Sequence, residues 1–307
     1  MNYFDCHADT LTMMGDDETL KSNRCDIDLN RVDAFADRYT QVFALFAVVD
    51  EIPPTQLDAR FWDAYTKAVA RLDAASDRIE RVCTAEQMHA AHARGHAAAF
   101  LSIEDASFMG GRAEQAFELG FRFAMLVWNN DNQYACGAAS NQRKGLTAAG
   151  KRLAKTYLDQ GIVMDVSHLS DAGAEDLFGL TDAPIIASHS NARDVCNVPR
   201  NLARWQIEEI ARRRGIIGLN LFGHFVAESD PTIDDLLRHA DRILSLGGED
   251  VLAMGADLDG CNGVFPAGFA GVQSMPLIRQ AFAEHLGADI AQKVFSKNAE
   301  AFVDRVL

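Results

Sequence analysis

The sequence lacks the marks of several protein classes. Its six cysteines include no Cys-x-x-Cys pair, which favours reduced thiols in the cytosol over a disulfide framework. The net charge of −15 leaves no basic face for a phosphate backbone, so it argues against nucleic-acid binding. No apolar run reaches the ~18 residues of a membrane helix, and no basic leader precedes Asp5. We therefore expect a cytoplasmic protein without a nucleic-acid or membrane partner.

The remaining composition is that of an ordinary globular protein. Hydrophobic residues make up 48% of the 307 positions and charged residues 24%. This length suits one large α/β domain or two average ones. Because we find no internal repeat, low-complexity segment or linker, we predict a single domain over residues 1–307.

Short apolar runs alternate with helical patterns along the chain. Eight runs are apolar on both faces, which is typical of a buried parallel sheet: 2–7, 40–49, 97–103, 121–127, 162–166, 184–188, 215–222 and 251–256. Helical spacing marks 57–75, 84–93, 112–119, 148–160, 171–179, 202–214 and 232–246, followed by closing helices over 275–286 and 288–306. Eightfold strand–helix alternation predicts a (β/α)8 TIM barrel, with a doubly wound open sheet as the alternative.

Metal-ligand residues follow five of the predicted strands. His7 and Asp9 end the first strand, at a spacing that puts both side chains on one face. Later strands end in Glu104, His168, His189 and Asp257. The carboxyl ends of barrel strands share one rim, where the active sites of this fold lie. Imidazole and carboxylate ligands without thiolates suit zinc and leave room for water.

This rim set suggests hydrolysis at a two-metal centre. Paired zinc ions need a bridging carboxylate, and Glu104 stands between the other ligands. A metal-activated hydroxide would attack a carbonyl, with Asp257 as general base and acid and Asp259 as the weaker candidate. Taken singly, each histidine could instead be a hydrogen-bonded barrel residue, and each aspartate a helix cap.

The position of other polar residues relative to this rim indicates their roles. Arg200 lies in a polar loop eleven residues after His189, where a guanidinium could clamp a substrate carboxylate. A salt bridge that only holds the loop is the alternative. His224, just past the seventh strand, is a candidate substrate contact. We expect His239 and His285 on the surface.

Several motifs together resemble the membrane (renal) dipeptidase family of zinc peptidases, a branch of the amidohydrolase superfamily. They are Asp5-Cys6-His7-Ala8-Asp9, Ser102-Ile103-Glu104, Gly145-Leu146-Thr147-Ala148-Ala149-Gly150, Asp165-Val166-Ser167-His168, Ser188-His189-Ser190-Asn191-Ala192-Arg193 with Pro199-Arg200-Asn201, and Gly255-Ala256-Asp257-Leu258-Asp259-Gly260. The resemblance covers nearly the whole chain and implies a (β/α)8 barrel.

The resemblance also implies roles for these residues. His7 and Asp9 would hold one zinc, His168 and His189 the other, and Glu104 would bridge the two. Arg200 would bind the substrate carboxylate, and Asp257 would be catalytic together with Glu104. The implied reaction is hydrolysis of a dipeptide, including dipeptides with a D-residue at the second position.

The sequence departs from the family pattern at two places close to the expected substrate-binding site. Trp128 stands where the family commonly has a histidine after the fourth strand, and an indole has a single donor and no acid–base function. We expect Trp128 to form an apolar wall and to alter substrate preference. Glu104 is followed by Asp105-Ala106 rather than a glycine pair, so the loop after it is expected to differ.

The main prediction is a zinc-dependent dipeptidase. The first alternative is a metal-dependent amidohydrolase that acts on another small amide, such as an N-acyl amino acid or a lactam. The second is a catalytically impaired barrel that binds a small molecule. A homodimer, which is common for this fold, is left open.

Overall fold

The computed structural model describes residues 1–307 and contains eight strands in one parallel sheet. The strands are β1 (Asn2–Ala8), β2 (Arg38–Leu45), β3 (Ile79–Arg81), β4 (Ala97–Ile103), β5 (Phe121–Ala124), β6 (Val163–Met164), β7 (Ile217–Leu219) and β8 (Leu252–Met254). Most end earlier than predicted because their apolar continuations, such as 46–49 and 125–127, leave the sheet to form the rim.

The sheet curls into a barrel. Its hydrogen-bonded order is β6-β5-β4-β2-β1-β8-β7. The gap between β6 and β7 is spanned by the predicted sixth strand, which survives as two parallel bridges, Asp165 to Ile186 and Ala187 to Ile217. The predicted (β/α)8 architecture is therefore confirmed.

The strand β3 was not predicted. It pairs with the first half of β4, from Ile79 opposite Ala97 to Arg81 opposite Ala99. β5 pairs with the second half of β4, starting with Phe121 opposite Leu101. β3 therefore extends the wall of the barrel at the end away from the rim, and its Ile-Glu-Arg sequence carries no apolar run that would predict a strand.

Helices surround the barrel. They are α1 (Thr10–Met13), α2 (Leu29–Asp33), α3 (Leu57–Asp73), α4 (Ala85–Ala93), α5 (Ala148–Gln160), α6 (Asp171–Leu180), α7 (Arg204–Arg212), α8 (Gly223–Val226), α9 (Ile233–Gly247), α10 (Met275–Leu286), α11 (Ala288–Gln292) and α12 (Asn298–Val306). A single turn of π-helix over Lys293–Lys297 joins the last two. No helix is long and apolar enough to span a membrane.

The predicted helix over 112–119 is wrong. The chain instead forms 3₁₀ turns over Ala106–Gln115, interrupted at Gly110 by a φ of 56°. A Cβ at Gly110 would lie 2.6 Å from Asp58 Oδ1, so this close approach to α3 requires glycine. After these turns the chain forms further turns over 116–120 and enters β5 after Gly120, whose φ is 92°, so no regular α-helix forms there.

The barrel interior is apolar below the rim. A cluster of 16 buried residues includes Phe4, Cys6, Phe100 and Phe123 from the strands, together with Phe302 of α12. A larger cluster of 67 buried residues fills the space between the sheet and the helices. Because β1 and α12 lie at opposite ends of the sequence, their shared packing is consistent with one domain.

Candidate metal centre and substrate cavity

The predicted ligands meet at the carboxyl rim of the barrel. Glu104 Oε1 lies 2.9 Å from His168 Nε2, 3.6 Å from His7 Nε2 and 3.8 Å from His189 Nε2. His7 Nε2 is in turn 3.8 Å from Asp9 Oδ1. All five side chains are buried. The structure thus brings together every residue predicted as a metal ligand.

Neighbouring strands hold these ligands in place through buried carboxylates. Asp5 accepts the backbone N–H groups of His7 and Ala256, which ties β1 to the segment after β8. Asp165 accepts those of Ser167 and Ser188, one residue before His168 and His189 respectively. The pairing of β1 shifts register between Asp5 and Ala8. His7 therefore reaches the centre through this irregularity rather than through simple strand alternation.

Hydrogen bonds outside the cluster aim two imidazoles inward. His168 Nδ1 lies 3.0 Å from Asn129 Oδ1, and His189 Nδ1 lies 2.7 Å from Ser188 Oγ. The two Nε2 atoms consequently face each other at 2.8 Å. When both Nδ1 atoms carry the proton, two lone pairs point at one space, and a cation there would satisfy both.

Several buried polar atoms of the cluster have no partner. They are both ring nitrogens of His7, Asp9 Oδ1 and Glu104 Oε2. Burial without a partner is costly for such groups, so each of them needs a ligand. Oxygen and imidazole donors in this arrangement fit a divalent metal ion.

The electrostatics of the cluster also favour a cation. Burial, with the nearby Arg200 charge, lowers the pKa of His7 to about 3, and burial lowers the pKa of His168 and His189 well below the usual value. The three imidazoles are thus neutral and able to bind a metal. Burial and mutual repulsion between carboxylates raise the pKa of Asp9 and Glu104. A bound cation would stabilise their ionised forms.

The cluster opens into a cavity of about 380 Å³. Its lining includes Asp9, Glu104, Trp128, Asn129, His168, Arg200, Asp257 and Asp259, together with Met13, Phe46, Val48, Phe222 and Phe225. This volume suits a small molecule.

Arg200 reaches the cavity from the loop after His189, as predicted. Its guanidinium is almost completely buried and donates to the carbonyl of Ser167. Its Nη2 lies 3.2 Å from His168 Nε2, and its Nε has no partner. The structure does not pair it with any carboxylate, which removes the alternative of a salt bridge that holds the loop.

Asp257 and Asp259 differ in what holds them. Asp257 Oδ2 accepts a hydrogen bond from Asn220 Nδ2 at 2.9 Å, and its Oδ1 lies 3.9 Å from His7 Nε2. Both oxygens of Asp259 are already used, by Thr10 Oγ1 and the backbone N–H of Asp26. Asp257 is therefore the carboxylate with an oxygen free to face the cavity.

The structure explains why the last residue of the motif 255–260 is a glycine, Gly260. A Cβ at this position would lie 2.2 Å from Asp257 Oδ1 and 2.5 Å from Asp9 Oδ2. A side chain there would occupy the space that the two carboxylates need.

Trp128 lines the cavity and forms an apolar wall, as the sequence indicated. Its ring lies 4.9 Å from that of Phe46 and 6.1 Å from that of His168. His224 does not line the cavity: it is exposed and packs edge-on against Phe222. Its role as a substrate contact stays a prediction without support from this geometry.

Sequence reasoning missed several residues of the site. Asn129 and Asn220 position His168 and Asp257, and a polar residue inside the apolar run 215–222 was the available signal for Asn220. Phe222 carried no signal, because it is the last residue of the apolar run 215–222, and Phe225 lies beyond that run.

The expectation of a surface position for His239 is wrong. This histidine is fully buried in α9. Its Nδ1 accepts the backbone N–H of Ala192 at 3.1 Å, and its Nε2 donates to the carbonyl of Val226 at 2.9 Å. It therefore joins the loop that leads to Arg200 to the short helix α8. His285 is exposed, as predicted.

Comparisons with known proteins agree with this architecture. The dipeptidase AC, described as a metallo peptidase of family M19, superposes with a TM-score of 0.86 at 26% identity, covering 100% of this chain and 98% of that one. A metallo peptidase from Rhodobacter sphaeroides, solved with a phosphinate mimic of the dipeptide L-Ala-D-Ala, gives a TM-score of 0.83 at 25% identity, with 100% and 99% covered.

Sequence relatives point the same way. A Schizosaccharomyces pombe protein described as an uncharacterized dipeptidase is 28% identical over 199 residues, which is 62% of this chain and 48% of that protein. The chain spans 48–60% of the length of the curated relatives it matches first. The sequence model of the membrane dipeptidase family (peptidase family M19) matches residues 1–302. The predicted resemblance is confirmed: the chain belongs to the membrane dipeptidase family.

Proposed function

We propose that this protein is a metal-dependent dipeptidase that hydrolyses small dipeptides, including those with a D-residue at the second position. One observation carries the proposal: three imidazoles and two carboxylates form a buried cluster with unpartnered donor atoms, and the same cavity contains Arg200 and Asp257. The dipeptide mimic bound by the R. sphaeroides metallo peptidase supports the substrate class.

The donor set fits two zinc ions per chain. His7 and Asp9 would hold one ion, and His168 and His189 the other. Glu104 would bridge them, since its Oε1 is within 3.8 Å of all three histidine Nε2 atoms. Bound there, zinc would polarise the scissile carbonyl and lower the pKa of water.

Arg200 would orient the substrate. Its guanidinium is buried, carries a positive charge and has an unpartnered Nε. A free carboxylate at the C-terminus of a dipeptide offers the acceptor that such a donor needs. The binding of this carboxylate would limit the enzyme to substrates whose scissile bond lies one residue from the C-terminus.

Asp257 would move the proton. Burial raises its pKa to about 7, which is a favourable value for a group that both accepts and donates a proton near neutral pH. Asn220 fixes Oδ2 and leaves Oδ1 towards His7. Asp257 would take a proton from water and pass it to the leaving amine.

Trp128 favours a second candidate function, hydrolysis of another small amide such as an N-acyl amino acid or a lactam. The indole lines the cavity beside His168, so a substrate with an apolar acyl group could pack against it. Turnover of such amides without turnover of dipeptides would decide for this candidate. A Trp128→His variant that gains dipeptidase activity would support it further.

Metal analysis paired with a substrate panel tests the main proposal. Purified protein is loaded with zinc, its metal content is measured by plasma emission, and L,L- and L,D-dipeptides are assayed by release of amino acids. We expect about two zinc ions per chain, cleavage of dipeptides, and loss of activity after chelation that zinc restores. His168→Asn should lose metal and activity, whereas His89→Asn, at an exposed position on α4, should lose neither.

Two results would overturn the proposal. One is less than one tightly bound metal ion per folded chain. The other is no hydrolysis of any dipeptide by protein whose zinc content has been verified.

A further inference from the structure

Two apolar walls flank the metal centre. The first, here called the Trp128 wall, consists of Phe46, Val48 and Trp128. The second, the Phe222 wall, consists of Phe222 and Phe225, whose rings lie 4.7 Å apart. The metal-ligand cluster lies on the floor of the same cavity. A substrate held over that floor would therefore contact apolar surface on both flanks.

The walls belong to different parts of the barrel rim. Phe46 follows β2 and Trp128 follows β5, so the Trp128 wall lies on the side of β4, between them in the sheet. Phe222 and Phe225 follow β7, which lies beyond β1 and β8 from that side. Because they follow different strands, the two walls are placed to receive different side chains of a bound dipeptide.

The Trp128 wall is fixed in position. The backbone N–H of Trp128 donates to Asp105 Oδ2 at 3.1 Å, and Asp105 Oδ1 accepts from Asn132 Nδ2 at 2.8 Å. Asp105 is itself buried and directly follows Glu104. This carboxylate, which departs from the family's glycine pair, thus couples the wall to the metal centre. A preformed wall gives binding energy without the cost of ordering a mobile loop.

The position of Arg200 indicates how a dipeptide would be oriented in the cavity. Its guanidinium lies 5.3 Å from the centre of the Phe225 ring, so it belongs to the side of the Phe222 wall. A carboxylate bound by Arg200 places the C-terminal residue of a dipeptide on that side. The N-terminal residue, across the scissile bond, then lies on the side of the Trp128 wall.

From this geometry we infer that the preferred substrates are dipeptides with large apolar side chains at both positions, the N-terminal one packed against the Trp128 wall and the C-terminal one against the Phe222 wall. This inference rests on the proposed dipeptidase function and narrows its substrate class. The charged residues of the cavity lining are Asp9, Glu104, Arg200, Asp257 and Asp259. The first four have roles in the metal centre or in the proposed reaction, and both oxygens of Asp259 already accept hydrogen bonds.

Four dipeptides and two variants test the inference. The specificity constant kcat/KM is measured for Ala-Ala, Leu-Ala, Ala-Leu and Leu-Leu with zinc-loaded wild type, Trp128→Ala and Phe222→Ala. Trp205→Ala is the matched control, since Trp205 is exposed on α7 and packs against Phe178, away from the cavity. Circular dichroism verifies that each variant is folded.

We expect opposite patterns in the two variants. An apolar wall favours a leucine over an alanine side chain by roughly tenfold or more in kcat/KM. With one wall at each position, wild type should cleave Leu-Leu about 10²-fold better than Ala-Ala. Trp128→Ala should lower the preference for Leu-Ala over Ala-Ala about tenfold and change the preference for Ala-Leu much less. Phe222→Ala should lower the preference for Ala-Leu over Ala-Ala about tenfold and change the preference for Leu-Ala much less. Trp205→Ala should keep both preferences at their wild-type values.

Equal kcat/KM values for Ala-Ala and Leu-Leu would overturn the inference while leaving the dipeptidase function intact. Equal effects of both variants on Leu-Ala and Ala-Leu would overturn the assignment of the walls. Absence of any cleavage would overturn the proposed function instead. In that event, binding of the dipeptides is measured with the double variant Trp62→Phe/Trp205→Phe, whose only tryptophan is Trp128. The fluorescence of Trp128 then reports the binding of each dipeptide. Tighter binding of Leu-Leu than of Ala-Ala would support the apolar preference, and equal binding would overturn it.

Discussion

His239 makes the stability of this barrel depend on pH in a predictable way. It is fully buried and serves as an acceptor at Nδ1 and a donor at Nε2. A second proton would occupy Nδ1, which receives the N–H of Ala192, and would thus break that hydrogen bond. Burial accordingly lowers the pKa of His239 to about 4, with the nearby Arg238 charge adding to the effect.

The size of the effect follows from the difference between the folded and unfolded pKa. A histidine in the unfolded chain titrates near ~6.5. Between that pH and the folded pKa of about 4, the unfolded state binds more protons. The contribution of neutral His239 is thus fully present above ~6.5 and is lost as the pH falls towards the folded value. By linkage, the free energy of unfolding falls by about 2 kcal/mol between pH 7 and pH 5 through this one residue.

The variant His239→Gln isolates this contribution, because glutamine has a donor and an acceptor but does not titrate. Equilibrium urea unfolding of wild type and variant at pH 7 and pH 5, with the metal content held equal, gives four free energies. We expect the drop from pH 7 to pH 5 to be about 2 kcal/mol smaller in the variant. The difference between the wild-type and variant decreases in the free energy of unfolding isolates His239, because all other titrating groups contribute equally to both.

Two further variants complete the test. His285→Gln, at an exposed position, should keep the wild-type drop to within about 0.5 kcal/mol. His239→Phe leaves the N–H of Ala192 and the carbonyl of Val226 unpaired, so it should destabilise the protein by roughly 2 kcal/mol or more at pH 7. The same pH dependence in wild type and His239→Gln would refute the reasoning.

Three substitutions at the rim separate metal binding, proton transfer and substrate binding. Glu104→Gln should lower the zinc content per chain, measured by plasma emission, whereas Glu118→Gln at an exposed position should not; equal zinc content would contradict the bridging role. Asp257→Asn should retain zinc but lose about 10²-fold or more in kcat, because the amide cannot carry the proton; unchanged kcat would contradict this role. Arg200→Lys should raise KM about tenfold or more with a smaller change in kcat, because a lysine cannot form the paired hydrogen bonds of a guanidinium; an unchanged KM would contradict carboxylate binding.

The sequence predicted the barrel and its ligand residues for the same physical reason. Strands buried on both faces appear as continuous apolar runs, and their carboxyl ends meet on one rim. Glu104 continues the inward-facing series Phe100 and Ser102 of β4, so its direction followed from alternation. For His7 alternation was not sufficient, since the register of β1 shifts between Asp5 and Ala8.

The missed features depend on contacts that the local pattern does not contain. β3 has no apolar run, and it exists because the first half of β4 offers an unpaired edge. His239 was different, because the signal was present. It lies three residues after Leu236 and four before Ile243, on the apolar face of α9. A histidine in such a stripe is better interpreted as a buried hydrogen-bonding residue than as a surface one.

Metal ligands and apolar walls alternate around the rim, and this arrangement separates metal binding from substrate preference. The ligands lie at or after the ends of β1, β4 and β6 and after the bridged pair at Ile186 and Ala187, whereas the walls follow β2, β5 and β7. Residues of the walls can thus differ between relatives without any change in the ligand-bearing strands. The exception lies after β5, where Trp128 is followed by Asn129, the partner of His168 Nδ1. A substitution at Trp128 that moves the backbone would change both the apolar wall and the orientation of a metal ligand, so substrate preference and metal affinity are physically coupled at this one position.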